Sequence, residues 1–248
     1  MHGFVGRVYG LSIVVYHFDS YDDLAKHPDC KYAYHVNEVL HRIARRVESL
    51  NLVGSMLWPE PVPADFRNFA ISRYEWLTIS ADGFLIRYIS VVDCALLLVN
   101  EVLELGLKPH QCTLHRLKKR GIPATIAAIL EAMLADQGAL RGERNARVHH
   151  GEERAFTQDD LTFKTAAIFE NRTPQGMAGT DCFGRPINLE RMFREGLVGL
   201  QREFNRSTRI LVRQLDRLYD ALWDEFEDRF SPRIRAATHG FNVGRRIP

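Results

Sequence analysis

The sequence has few lysines and almost no excess of positive charge. Only six of its 33 Lys and Arg residues are lysines, and 31 Asp and Glu residues leave a formal net charge of +2. This balance excludes a protein that coats nucleic acid through its overall charge, so any such binding depends on local patches. The shortage of lysine has two explanations, the suitability of arginine for pairing with phosphate and a GC-rich coding sequence.

The cysteines exclude two further classes of protein. None of them belongs to a C-x-x-C pair and no histidine lies near two of them, which argues against a zinc knuckle and a disulfide framework. They are Cys30, Cys94, Cys112 and Cys182. We therefore expect reduced thiols in a cytoplasmic protein. Separately, we predict neither a metal ion nor a cofactor.

Long uninterrupted apolar runs are also missing. Residues 10–16 are too short a stretch for a signal peptide, and residues 85–107 are interrupted by Arg87, Asp93 and Glu101. We expect no export signal and no membrane partner. With 248 residues, 46% of them hydrophobic, the chain can bury a sizeable core.

The spacing of apolar residues predicts an all-α fold. They recur at intervals of three and four along most of the chain, which is typical of helices with one buried face. Helices are predicted at 32–51, 66–105, 124–138, 140–150, 159–170 and 187–230, the second being one long helix or two that break near Asp82 and Gly83. Residues 4–18 are rich in β-branched and aromatic side chains and predict a short strand or an ordered arm.

The positions of glycines, prolines and charged residues indicate where the segments of the chain begin and end. We predict a single domain with an N-terminal arm (1–28), a bundle of long antiparallel helices (29–170), a Gly/Pro-rich loop (171–186), a long C-terminal helix (187–231) and a basic tail (232–248). Pro232 is expected to end the last helix. The loop has glycines but lacks the strand and the G-K-[ST] of a phosphate-binding loop, which favours a flexible connector or lid.

One short segment carries groups suited to phosphodiester chemistry. Residues 141–151, RGERNARVHHG, contain Arg141, Arg144, Arg147, Asn145, His149 and His150. An arginine can bind the non-bridging phosphate oxygens, and a neutral histidine can take the proton from a ribose 2′-hydroxyl. Such a site would cleave RNA without a metal ion.

The spacing within this segment constrains how such a site could form. On a straight helix Arg144 and His149 lie about 140° apart, whereas Asn145 and His149 lie one turn apart on the same face. Arg144 and His149 could meet one phosphate if Arg144 lay on a bent first turn. They could also meet if two copies of the segment faced each other across a two-fold axis.

The segment Arg144-Asn145-Ala146-Arg147-Val148-His149 resembles the R-N-x-x-x-H motif of the HEPN superfamily. The resemblance implies a helical bundle over about residues 32–170 and a homodimeric, metal-independent endoribonuclease. Such RNases occur in toxin–antitoxin, abortive-infection and CRISPR-associated systems, so an antitoxin or defence-system partner is implied. By position, Arg144 and His149 look like the catalytic pair and Asn145 like the polar residue that often follows the arginine. Gly151 stands where the toxin–antitoxin branch usually has tyrosine.

Other basic residues are candidates for substrate contacts. We expect Arg141, Arg147 and His150 beside the motif, and Arg116, Lys118, Lys119 and Arg120 on a basic connector with His115, to contact RNA. Spacings of six residues between His35 and His41 and five between His110 and His115 do not fit a metal site on one helix face.

A second explanation of the motif needs no chemistry. Basic residues at the C-terminal end of a helix, followed by a glycine, complement the helix dipole and end the helix. The alternative function is therefore a catalytically inactive, HEPN-like RNA-binding or protein-interaction module.

Overall fold

The computed structural model describes residues 2–63, 65–67, 69–173 and 175–237. Within these ranges the chain is helical and contains no β-strand. The α-helices are α1 (Gly3–Ser12), α2 (Tyr21–Leu24), α3 (Pro28–Leu57), α4 (Arg73–Val102), α5 (Leu114–Lys119), α6 (Ala124–Asp136), α7 (Gly138–His150), α8 (Asp160–Arg172) and α9 (Leu189–Ala236). Short 3-10 helices cover Ile13–His17 and Pro109–Gln111. The predicted all-α class and long C-terminal helix are confirmed, and the HEPN-type arrangement stays a prediction.

The helices divide into two compact units. The first comprises the described parts of residues 1–46, 90–136 and 210–248, and the second those of residues 47–89 and 137–209. Helices α3, α4 and α9 contribute residues to both units. The single-domain organisation stays a prediction.

The prediction of an N-terminal strand is wrong, because this segment forms α1 and the 3-10 helix after it. Phe4, Val8 and Leu11 are buried at the four- and three-residue spacing of a helix face. The ring of His2 accepts a hydrogen bond from the N–H of Phe4 and caps the helix. The buried helix face of the first unit thus outweighs the local preference of β-branched residues for strands.

Of the two alternatives for the segment from 66 to 105, one long helix is confirmed, because α4 runs without a break through Asp82 and Gly83. An added Cβ at Gly83 would lie 3.2 Å from Cγ2 of Val53, so the glycine permits close packing against α3 within the second unit. The helix begins later than expected, at Arg73, because Ser72 and Glu75 form a reciprocal capping box. The N–H of Ser72 donates to the Glu75 carboxylate and the N–H of Glu75 to the Ser72 hydroxyl.

The prediction that Pro232 ends the last helix is also wrong, since α9 continues to Ala236. Arg233, one residue further, donates to the carboxylate of Glu104, and its guanidinium lies 4.5 Å from the ring centre of Tyr32. These contacts offset the single backbone hydrogen bond that the proline removes. Of the predicted basic tail, Arg233 and Arg235 belong to α9, whereas Arg245 and Arg246 lie outside the described residues.

The Gly/Pro-rich loop contains an ordered turn around Asp181. This carboxylate is buried and accepts hydrogen bonds from the N–H groups of Phe183 (3.0 Å) and Arg185 (2.9 Å). Burial raises the pKa of Asp181, but the hydrogen bonds from Arg185 and Phe183 outweigh it and hold the pKa below the usual range. The N–H of Cys182 donates to Asp159, whose side chain caps α8.

Helix α9 packs closely against its neighbours in the second unit at Gly196. An added Cβ there would lie 2.5 Å from Cδ1 of Leu77 and 2.9 Å from Cβ of Phe156. The Leu77 contact involves the end of a flexible side chain, but Cβ of Phe156 is fixed to its backbone and cannot move away without shifting the chain. A glycine is therefore required where the segment after α7 packs on α9.

Replacing Gly196 with alanine should destabilise the protein by about 1–2 kcal/mol, because overpacking outweighs the better helix propensity of alanine. Gly199 lies in the same helix and has no atom within 4 Å of an added Cβ. Gly199→Ala should therefore stabilise by about 0.5–1 kcal/mol. Urea denaturation of both variants measures the difference. Equal effects would contradict the close contact at Gly196.

Candidate functional site

The motif lies on α7, whose start is fixed by a buried glutamine. Helix α6 ends at Asp136, and the next residue, Gln137, is fully buried. Its amide donates to the carbonyl of Tyr88 at 3.0 Å and accepts from Nη2 of Arg141 at 3.2 Å. Arg141, predicted to contact RNA, therefore also takes part in fixing the first turn of α7.

Helix α7 contains no fully buried residue and is held largely by charged side chains. Nε of Arg147 donates to the carboxylate of Asp82 at 2.6 Å, and the Arg147 side chain is only 7% exposed. Its guanidinium therefore anchors α7 to α4 within the second unit. A direct contact of Arg147 with RNA stays a prediction.

Arg154 in the following segment makes a second attachment. It lies 3.3 Å from the carboxylate of Glu143 on α7 and 2.6 Å from that of Glu203 on α9. All three side chains are partly buried, so water screens these pairs less than it screens exposed ones. Glu143 and Arg147 lie one turn apart on the same face of α7, so the two attachments hold this face against α4 and α9 within the second unit.

The residues expected to be catalytic differ from Arg147 and Arg154 in their lack of polar partners. Arg144 is half-buried, and Asn145 and His149 are exposed. Within the part of the chain that the structure describes, none of these three side chains forms a hydrogen bond or an ion pair, and the buried Nε of Arg144 has no acceptor. Asn145 therefore does not orient His149 in a single chain, although the two lie one turn apart.

The shape of α7 excludes one of the two ways to bring Arg144 and His149 together. The helix is regular from Gly138 to His150, so Arg144 lies in its middle and not on a bent first turn. The two residues diverge by about 140° around the axis. The remaining arrangement is one in which Arg144 of one chain lies near His149 of another.

The end of α7 also fits the explanation in which the basic residues and the glycine only stabilise and end the helix. Gly151 has a φ of 68°, a left-handed conformation that suits glycine, and its N–H donates to the carbonyl of Ala146. Arg147, His149 and His150 occupy the last turn, where basic side chains interact favourably with the helix dipole. The glycine and the position of the histidines therefore have a structural role whether or not the site is catalytic.

The predicted basic connector belongs to the first unit and not to the unit that contains the motif. It forms α5, in which Lys118 makes an ion pair with Glu131 of α6. Arg116, Lys119 and Arg120 are exposed.

Sequence patterns gave no indication of a cluster around His35. Its Nε2 lies 2.7 Å from the hydroxyl of Tyr21, and its Nδ1 lies 3.3 Å from the carboxylate of Glu101. The three residues lie on α2, α3 and α4 of the first unit, so no short motif contains them. Asp82 and Arg154 were missed for the same reason.

The described residues contain no group of three or more His, Cys, Asp or Glu side chains arranged to hold a metal ion. Over those same residues, no helix is both long and apolar enough to cross a membrane. No family model, curated protein or solved structure matches the chain.

Replacing Asp82 with alanine should test the anchor of α7. Arg147 would lose its carboxylate while remaining buried, and the free energy of unfolding should fall by about 1–3 kcal/mol. The partial exposure of Asp82 keeps the loss below that of a fully buried pair. Glu152→Ala is the control, because Glu152 is exposed and its side chain has no partner among the described residues. If both variants unfold at the same urea concentration, Arg147 is not the anchor.

Proposed function

We propose that the protein is a metal-independent endoribonuclease of HEPN type whose active site is completed in a homodimer. The observation that carries the proposal is that some polar side chains of α7 have partners in the second unit and others have none. Arg141 and Arg147 make contacts within the second unit, whereas Arg144, Asn145 and His149 have no side-chain partner among the described residues. A helix that merely packed against its neighbours would not be expected to leave a half-buried guanidinium without an acceptor.

In the proposed reaction His149 is the general base. Its neutral imidazole takes the proton from a ribose 2′-hydroxyl, and the 2′-oxygen forms a bond to phosphorus while the bond to the 5′-oxygen breaks. The 5′-oxygen leaves with a proton from solvent. Arg144 binds the non-bridging oxygens and stabilises the charge that develops on them. The products are a 2′,3′-cyclic phosphate and a 5′-hydroxyl.

The outer face of α7 supports pairing with a second copy. Gly138, Gly142, Asn145 and His149 are exposed and lie within about 60° of one another around the axis. Two of the four are glycines, which allow a second helix to approach closely. A two-fold axis across this face would bring His149 of one chain toward the other chain, whose Arg144 lies about 100° from Asn145 around the helix axis.

Cleavage of cellular RNA would suit a toxin or an effector of anti-phage or stress defence, held in check by an antitoxin or a defence-system partner. The alternative is an inactive HEPN-like module that binds RNA or protein. It is favoured by His149 itself, because a general base is normally oriented by a third group and no described residue of the same chain does this.

An RNase assay in EDTA separates the two functions. Cleavage should survive the chelator and fall by on the order of 10²-fold or more in His149→Ala, with a comparable loss in Arg144→Ala. His150→Ala should lose little, because position 150 lies about 100° further round the helix. Equal activity in the wild type and both inactive variants would leave only the inactive module.

Complementation tests whether the site is shared between chains. If Arg144 of one chain acts with His149 of the other, a heterodimer of Arg144→Ala and His149→Ala keeps one intact pair. A random mixture should then recover about a quarter of wild-type activity. Half of its dimers are heterodimers, and each heterodimer keeps one of its two active sites intact. Light scattering should show about twice the chain mass of 28.5 kDa. A purified heterodimer without activity, or a strict monomer that cleaves RNA, would contradict the shared site.

A further inference from the structure

The first unit contains a stretch of chain that has no acidic residue. Between Glu104 and Glu131 the sequence carries seven basic or titratable cationic side chains and no Asp or Glu; they are Lys108, His110, His115, Arg116, Lys118, Lys119 and Arg120. The two flanking glutamates are already engaged, Glu104 with Arg233 and Glu131 with Lys118. The positive charge of this stretch is therefore poorly compensated locally.

Helix α5 gathers most of this charge in one pocket. Its apolar residue Leu117 is fully buried and fixes the rotation of the helix, and Lys118 is paired with Glu131. The remaining cationic side chains line a pocket with a volume of 610 Å³, which we call the α5 pocket. Its lining residues are Leu107, Gln111, His115, Arg116, Lys119 and Arg120.

The cations in the α5 pocket have no counter-charge. No carboxylate lines the pocket, and within the described residues the side chains of His115, Arg116, Lys119 and Arg120 form no hydrogen bond or ion pair. Of these, Arg116 lies about one helical turn, roughly 6 Å along the axis, from the neighbouring cations Lys119 and Arg120. Like charges held this close repel one another, and an anion that bound between them would relieve the repulsion.

We propose that the α5 pocket binds successive phosphates of an RNA strand. Arginine forms paired hydrogen bonds with phosphate oxygens, and lysine adds a point charge, which together suit a phosphodiester backbone. Leu107 and Gln111 offer one apolar and one polar surface beside the cations, where a sugar or a base can pack. The assignment of RNA in particular rests on the proposed nuclease function.

The test is RNA binding by the full chain at several salt concentrations. The probe is a fluorescein-labelled single-stranded RNA of about 20 nucleotides, measured by anisotropy with His149→Ala protein so that cleavage does not interfere. Each cation that contacts a phosphate adds about 0.7 to the slope of log affinity against log salt for a single strand. The triple variant Arg116→Gln/Lys119→Gln/Arg120→Gln should therefore lower the slope by about 2. Circular dichroism melts verify that the variants are folded.

Lys108→Gln is the matched control, because it removes one charge from the same acid-free stretch but does not line the pocket. Its slope should equal that of the parent protein, whereas Arg116→Gln alone should lower it by about 0.7. A triple variant with the parental slope would overturn the proposal. So would equal losses in Lys108→Gln and Arg116→Gln, which would indicate a diffuse charge effect.

Two comparisons separate this proposal from the nuclease function. If the wild type binds RNA through the α5 pocket but cleaves none, the pocket stands and the nuclease function fails. If the wild type cleaves RNA and the triple variant binds it with the parental slope, the nuclease stands and the pocket fails. Polyglutamate that displaced the RNA as well as unlabelled RNA of equal charge would instead assign the pocket to an acidic protein and overturn the RNA assignment.

Discussion

The ion pair between Arg147 and Asp82 is the interaction on which the candidate site depends. Helix α7 buries no residue completely, so hydrophobic packing contributes less to its position than it does for α4 or α9. The Arg147 guanidinium is nearly inaccessible to water, which strengthens its attraction to Asp82. Because the pair fixes the rotation of α7, it also decides which side chains of the motif face outward. The catalytic role proposed for Arg144 and His149 therefore depends on Arg147, which lies between them in the sequence and sets their orientation.

Much of the fold was predictable because periodicity reports which face of a helix is buried. The helices near residues 124–136 and 160–172 follow the apolar spacing closely, and Asp159 caps α8. The errors occurred where a local signal was opposed by packing. Glycines and β-branched residues near the N-terminus favour a strand, but the burial of Phe4, Val8 and Leu11 requires a helix. At Gly83 the sequence left a break and a continuous helix both open, and the close packing of Val53 accounts for the glycine in a continuous helix.

The chemistry of the candidate site was predictable only as a set of residue types. The sequence places Arg141, Arg144 and Arg147 together, and only the resemblance to the R-N-x-x-x-H motif singles out Arg144. Their difference arises from partners elsewhere in the chain, Gln137 for Arg141 and Asp82 for Arg147. A contact between helices, such as the one between Arg147 and Asp82, depends on the relative rotation of the two helices, which a single sequence does not specify. The same limit applies to Lys118, whose pairing with Glu131 separates it from its neighbours on α5.

The unpaired Nε of Arg144 has a consequence for stability as well as for ligand binding. A buried donor without an acceptor costs about 1–3 kcal/mol, so the folded chain carries a penalty at this position. An anion that supplied the missing acceptor would remove the penalty, and it would bind the folded state in preference to the unfolded one. By mass action such an anion raises the apparent stability in proportion to the logarithm of its concentration. At the proposed site this side chain would therefore couple anion binding to the folding equilibrium.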